Sequence, residues 1–126
     1  MEINFNNNSP IYMQIVEKIK QHIIAGELEI GSRLPSVRDL ANDFKVNPNT
    51  VQKALSELES MGLIFTERTN GKFVTFDREL LLEYKKVLAD ELTNEYIEKM
   101  KKIGFSKAEI IKRLTVSEVE NETVRV

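Results

Sequence analysis

Every glycine and proline in this chain stands where a regular element should begin or end, and that punctuation constrains the fold more than any other feature. Ser9-Pro10 reads as a helix start, with Ser9 as N-cap and Pro10 at the first helical position. Ile11, Ile15, Ile19 and Ile23 then recur every four residues, flanked by Tyr12 and Val16, down to Ala25-Gly26. Gly26 to Pro35 reads as a loop anchored by Leu28, Ile30 and Leu34. Ser36 caps a second helix, with Asp39 three positions on and Val37, Leu40, Ala41 and Phe44 in one stripe. Lys45-Val46 makes a short turn, and Asn47-Pro48 repeats the pattern of cap followed by proline. A third helix follows through Val51, Ala54, Leu55, Leu58 and Met61, stopped by Gly62.

After Gly62 the period changes from helical to extended. Leu63 to Arg68 and Lys72 to Phe76 are rich in β-branched and aromatic residues, and Asn70-Gly71 between them signals a hairpin. The aromatics Phe44, Phe65, Phe73 and Phe76 are expected in the core. A second unit starts near Asp77-Arg78. Leu81, Tyr84, Leu88, Leu92, Tyr96 and Ile103 follow three-, four- and seven-residue steps along one long amphipathic helix, ended by Gly104. Ser106 to Glu109 is a capping box that opens a last helix carrying Ile110, Ile111 and Leu114. Beyond Thr115 the pattern weakens, and a frayed tail is expected from Glu118. The fold class is therefore mainly α with a small β-hairpin. It is a winged helix-turn-helix over residues 1–76, followed by a two-helix dimerisation appendage over residues 77–126.

Composition removes most enzyme classes. The absence of cysteine excludes disulfides, thiolate zinc sites, iron–sulfur clusters and thiol nucleophiles together. With one histidine, a Ser/His/Asp site has little support, and neither an H-E-x-x-H run nor a phosphate-binding glycine loop occurs. Glu57 and Glu59 diverge on a helix and make no carboxylate dyad. His22, among Ile19, Ile23 and Ile24, reads as a helix-surface or packing residue. No metal and no cofactor are expected. The first eight residues lack the basic and apolar regions of a signal peptide, and no apolar run nears the roughly 20 residues of a bilayer span. A cytoplasmic protein without membrane contact is the expectation.

Net charge is −2, which argues against a general polyanion binder. Its distribution says more. Between Ser32 and Ser56 four bases, Arg33, Arg38, Lys45 and Lys53, face two acids, Asp39 and Asp43. A helix fits the DNA major groove, where each base pair shows a distinct donor and acceptor pattern. The start of the third helix supplies matching groups in Asn49, Thr50, Gln52 and Lys53. The rival reading is a winged helix that serves as a protein-interaction module without DNA binding. Such a module would more often make that helix start apolar.

Three runs then become specific: Leu34 to Ala41 (Leu-Pro-Ser-Val-Arg-Asp-Leu-Ala), Phe44 to Val51 (Phe-Lys-Val-Asn-Pro-Asn-Thr-Val), and Ala54 with Leu58-Glu59 and Gly62-Leu63-Ile64. In order and spacing they resemble the DNA-binding domain of GntR-type bacterial transcription regulators, over about residues 10–76. The short appendage and the Asn47 to Val51 run look like the YtrA-type branch, which carries two helices after the wing instead of a large effector domain. The resemblance implies that Arg38 reaches DNA from the second helix and that Ser36 lies near a phosphate. It implies groove-facing roles for Asn49, Thr50 and Gln52, and a wing tip at Arg68 and Asn70-Gly71. The wing departs from the family's Gly-x-Gly-Thr form, reading Thr69-Asn70-Gly71-Lys72, so Lys72 is expected to add a phosphate contact. Arg33 and Lys53 are likewise expected at phosphates.

The expected function is sequence-specific binding of a double-stranded DNA operator by a transcription regulator, with repression as the expected sign. The long helix, about 35 Å from Leu80 to Ile103 at 1.5 Å per residue, exposes more apolar stripe than the last helix can cover. Leu81, Tyr84, Leu88, Leu92, Tyr96 and Ile103 are therefore expected to form a homodimer interface on an inverted repeat. The rival is that the stripe folds back onto the wing domain of its own chain. The identity of any small-molecule effector is not legible. A site for one is expected at the dimer interface or the domain junction, not inside residues 77–126 of one subunit.

Overall fold

The computed structural model describes the backbone of residues 1–125 and the side chains of residues 1–116. The elements are α1 (Ile11–Ile24), α2 (Val37–Phe44), α3 (Pro48–Ser60), β1 (Ile64–Glu67), β2 (Gly71–Val74), α4 (Arg78–Lys102) and α5 (Lys107–Arg125). The architecture is a three-helix body with an antiparallel ribbon, followed by two helices. The chain divides into two compact units, Met1–Lys85 and Lys86–Val126. This division falls inside α4 and not after Phe76, because Leu81 and Tyr84 pack on the core of the first unit. None of the described helices is long and apolar enough to cross a membrane.

The local signals account for most helix ends. Ser36 Oγ accepts the backbone N–H of Asp39 at 3.1 Å, and Asn47 Oδ1 accepts that of Asn49 at 2.8 Å, with Pro48 opening α3. Ser106 and Glu109 exchange both bonds of a capping box. Between α2 and α3 the chain turns at Lys45, which adopts a left-handed backbone at φ 57°. The start of α1 differs from expectation. Pro10, not Ser9, occupies the cap position, with an extended ψ of 146° and no side-chain cap bond. Gln14 secures the helix entry instead. Its side-chain amide donates to the carbonyls of Asn6 (2.9 Å) and Ser9 (2.8 Å), and its Oε1 accepts the Asn6 N–H.

The core of the first unit is built by one face of each body helix. Ile15, Val16, Ile19 and Ile23 of α1 meet Leu40, Ala41 and Phe44 of α2 and Val51, Ala54, Leu55 and Leu58 of α3. Leu34, Leu63, Ile64 and Val74 close it from the ribbon side. Each fully buried Leu or Ile contributes about 1.5–3 kcal/mol, which is why the stripes dominate the helix arrangement. Ile11, expected to open the α1 stripe, lies beyond the core and is exposed. Met1, Ile3 and Phe5 pack half-buried against the body, a contribution for which the sequence carries no period.

The ribbon pairs Ile64 with Val74 through Glu67 with Gly71. Its loop is therefore the three residues Arg68-Thr69-Asn70, with Gly71 beginning the return strand. A third segment joins it. Arg33 bridges Phe73, Leu34 N–H donates to Lys72 O at 2.8 Å, and Val74 N–H donates to Ser32 O at 2.9 Å. Phe44 is in the core as expected, and Phe65 and Phe73 are half-buried and stacked with centroids 5.7 Å apart. Phe76 is not in the core. It lies past the end of β2, is 69% exposed, and leans on Phe65.

Asp77 Oδ1 caps α4 by accepting the Leu80 N–H. The expected apolar stripe of this helix splits. Leu81 and Tyr84 are half-buried on the first unit, and the Tyr84 hydroxyl donates to Met61 O at 3.0 Å. Leu92, Tyr96 and Ile103 are exposed. In the second unit Ile110 is buried, while Ile111 and Leu114 are more than half exposed. The backbone of α5 stays helical to Arg125, through the stretch from Glu118 expected to fray. The side chains of that stretch, and Val126, lie outside the described residues.

Candidate nucleic-acid interface

The first two turns of α3 combine a buried and an open face. Val51 and Ala54 point into the core, while Asn49, Gln52 and Lys53 are exposed and Thr50 is half-exposed. The side-chain amides of Asn49 and Gln52 make no hydrogen bond among the described residues. Their donors and acceptors are thus available to base edges, the groups that read sequence in the major groove. Lys53 is exposed, but its Nζ stands 4.0 Å above the Tyr12 ring, a cation–π contact tying α3 to α1.

Arg38 lies exposed in the first turn of α2, and no carboxylate of the described residues pairs with it. The surface ion pair that would explain it away is absent among those residues. Ser36 is exposed, with its Oγ engaged in the α2 cap.

Arg33, read from sequence as a loop residue, belongs to the ribbon. Its backbone bridges Phe73, and its guanidinium lies over Gly71 so closely that a Cβ there would be 3.2 Å from Nε. Arg33 is therefore stationed at the wing, beside the loop that presents Arg68. Asn70 is partly engaged, its Nδ2 donating to Glu67 Oε2 at 3.3 Å. Lys72 is placed otherwise than a free phosphate ligand would be: its Nζ donates to Thr66 Oγ1 at 2.8 Å and stands 3.5 Å from Glu59 Oε2.

Sequence reasoning missed Glu59 and Thr66. The Thr66 hydroxyl donates to Glu59 Oε1 at 2.8 Å. That hydrogen bond is the main cause that holds the Glu59 carboxyl below its ordinary range; burial opposes it, and the charge and hydrogen bond of Lys72 add to the lowering. No one-dimensional signal marks this group, which unites the end of α3 with both ribbon strands. His22 behaves as a helix-surface residue, paired with Glu27 at the end of α1. A cleft of about 260 Å³ lies within the first unit, bounded by Ile23, Leu28 and Ile30 and by Arg78, Leu81 and Leu82 of α4. It is smaller than the roughly 300 Å³ at which ligand pockets usually begin.

Comparison with known proteins supplies the family. The family model described as bacterial regulatory proteins, gntR family, matches residues 11–74. The chain is 38% identical over 111 residues to the uncharacterized HTH-type transcriptional regulator YhcF of Bacillus subtilis, across 88% of this chain and 92% of that protein. It is 37% identical over 98 residues to the HTH-type transcriptional repressor YtrA of the same organism, across 77% and 75%. A solved GntR family transcriptional regulator from Listeria monocytogenes matches with a TM-score of 0.79 and 40% identity, covering 88% of this chain and 97% of that one. The DNA-binding domain of AraR, solved in complex with operator ORX1, matches with a TM-score of 0.54 and 28% identity over 60% of this chain and 95% of that one. By its winged helix, its two following helices and these matches, the chain belongs to the GntR family of bacterial transcription regulators, in its YtrA-type branch, and is a DNA-binding regulator and not an enzyme.

Proposed function

We propose that this regulator is a cytoplasmic repressor that binds an inverted-repeat operator as a homodimer. The observation that carries the reading is the open polar start of α3, beside a wing that holds two arginines. In this reading Asn49, Thr50 and Gln52 specify bases, while Arg33, Ser36, Arg38, Lys53 and Arg68 anchor the backbone. The Asn70-Gly71 end of the wing loop lets the ribbon approach the duplex. Repression is favoured by one relative, a named repressor similar over most of both chains.

Residues 77–126 supply the dimer. Leu92, Tyr96, Ile103, Ile111 and Leu114 leave an apolar surface on α4 and α5 that a second copy would cover. Leu88, half-buried, continues the same stripe. Leu81 and Tyr84, which the stripe also contains, serve instead to seat α4 on its own winged-helix body. A two-fold dimer doubles the base contacts of a single module and sets the spacing of its half-sites.

Selection of bound sequences from a random duplex pool tests the reading. Wild-type protein is expected to return an inverted repeat, and Asn49→Ala or Thr50→Ala to change the preferred base at about 1–3 kcal/mol per lost contact. The double variant Leu92→Asp with Tyr96→Asp is expected to sediment as a monomer and to lose its preference for full over half sites. A motif unchanged by both α3 substitutions, or a monomeric wild type that binds half-sites as tightly as palindromes, would refute the proposal.

A further inference from the structure

Thr66 and Lys72 are directly opposite each other on the ribbon. Both reach the same carboxylate at the end of α3. Lys72 Nζ donates to Thr66 Oγ1 (2.8 Å), Thr66 Oγ1 donates to Glu59 Oε1 (2.8 Å), and Glu59 Oε2 lies 3.5 Å from Nζ. Three side chains thus close a ring between the recognition helix and both strands of the wing. The Lys72 side chain is only 22% exposed and that of Glu59 41%. The carboxyl, held below its ordinary range, is ionised at neutral pH.

An exposed ion pair adds little to stability, typically about 0–1 kcal/mol. Its effect on DNA binding is another matter. A free lysine on a DNA-facing ribbon neutralises a phosphate whatever the sequence, and such contacts supply most non-specific affinity. A bare glutamate at the same place would repel the duplex. Paired, the two charges cancel, and the ring still fixes the wing to α3. Arg33 and Arg68 remain as the basic groups of the wing.

We infer that Glu59 is a specificity-determining residue: with Thr66 it sequesters Lys72, so that the wing is positioned against the recognition helix without adding a sequence-independent phosphate contact. The inference rests on the reading that the wing and the start of α3 face DNA.

The test is the salt dependence of binding to a selected operator and to an unrelated duplex. Three proteins are compared: wild type, Glu59→Gln, and Glu59→Gln with Lys72→Met. Glutamine still accepts the Thr66 hydroxyl, so the ribbon keeps its anchor while the lysine loses its counter-charge. Glu59→Gln is expected to steepen the slope of log K against log salt by about 0.9 and to tighten unrelated-duplex binding severalfold at low salt. The operator-to-unrelated affinity ratio should fall by a similar factor. The double variant, neutral at both positions, should return the slope to the wild-type value. If Lys72 already neutralises a phosphate in the wild type, Glu59→Gln will leave the slope unchanged and the double variant will lower it by about 0.9. That pattern overturns the inference alone. Wild-type protein without salt-dependent binding to either duplex would overturn the DNA-facing reading and the inference with it.

Discussion

Replacing Gly71 by alanine isolates what the wing loop requires of its backbone. Gly71 adopts φ +98°, a conformation in which an L side chain is strained. A Cβ there would also stand 3.2 Å from Arg33 Nε and 3.4 Å from Nη2. The strain costs about 1–2 kcal/mol. The steric part is cheaper, because the far end of an arginine can move aside, but moving it takes the guanidinium away from the wing. Gly26 provides the control: its φ is +81°, and a Cβ there meets nothing within 4 Å. Urea unfolding should therefore show both Gly71→Ala and Gly26→Ala losing about 1–2 kcal/mol, or roughly 4–8 °C in melting temperature. Only Gly71→Ala should weaken operator binding, with a salt slope shallower by up to about 0.9 if the displaced Arg33 loses its phosphate. Wild-type stability in Gly71→Ala would refute the strain argument. Equal losses of DNA affinity in the two variants would refute the placement of Arg33.

Three further outcomes follow from named contacts. Ser36→Ala removes the acceptor for the Asp39 N–H and should lower stability by about 1 kcal/mol, measurable by chemical denaturation. Tyr84→Phe deletes the bond to the Met61 carbonyl at the end of α3, and a loss of about 0.5–1.5 kcal/mol in the same assay is expected. The Glu59 carboxyl is depressed in the folded chain, so its stabilisation is present above the ordinary carboxylate value of 4.5 and is lost as pH falls through the folded value. Glu59→Gln should accordingly flatten the acid limb of a stability–pH profile below about pH 5 and leave the neutral limb alone. The effect should be small because the pair is solvent-screened.

The family-specific runs and the helix ends were readable because their causes are local. A cap acts over three residues and a buried stripe repeats every three or four, so both leave a trace in the linear chain. The same locality explains the errors. Ser9-Pro10 matched the cap pattern, but Gln14, a few residues on, satisfied the helix entry instead. Phe76 had the composition of a strand residue, yet β2 ends at Val74 and leaves it on the outer surface. Of the expected α4 stripe, Leu81 and Tyr84 pack on the first unit, while Leu92, Tyr96 and Ile103 are exposed. Periodicity alone could not say which part meets the protein's own core.

The order of the elements, the winged-helix class and the polar start of α3 are written in the linear chain, since these follow from short-range backbone and solvation preferences. Tertiary structure decided the fate of individual charges and apolar groups. Arg33 became a wing residue because Leu34 and Ser32 hydrogen-bond to β2, about 40 residues further along the chain. Lys72 became an internal partner because ribbon pairing brings Thr66 opposite it and folding brings Glu59 beneath both. Leu81 and Tyr84 became body residues because the end of α3 offers a carbonyl and a core edge to cover. A charge or an apolar side chain is defined energetically by what surrounds it. In each of these cases the surroundings come from parts of the chain that only folding brings together.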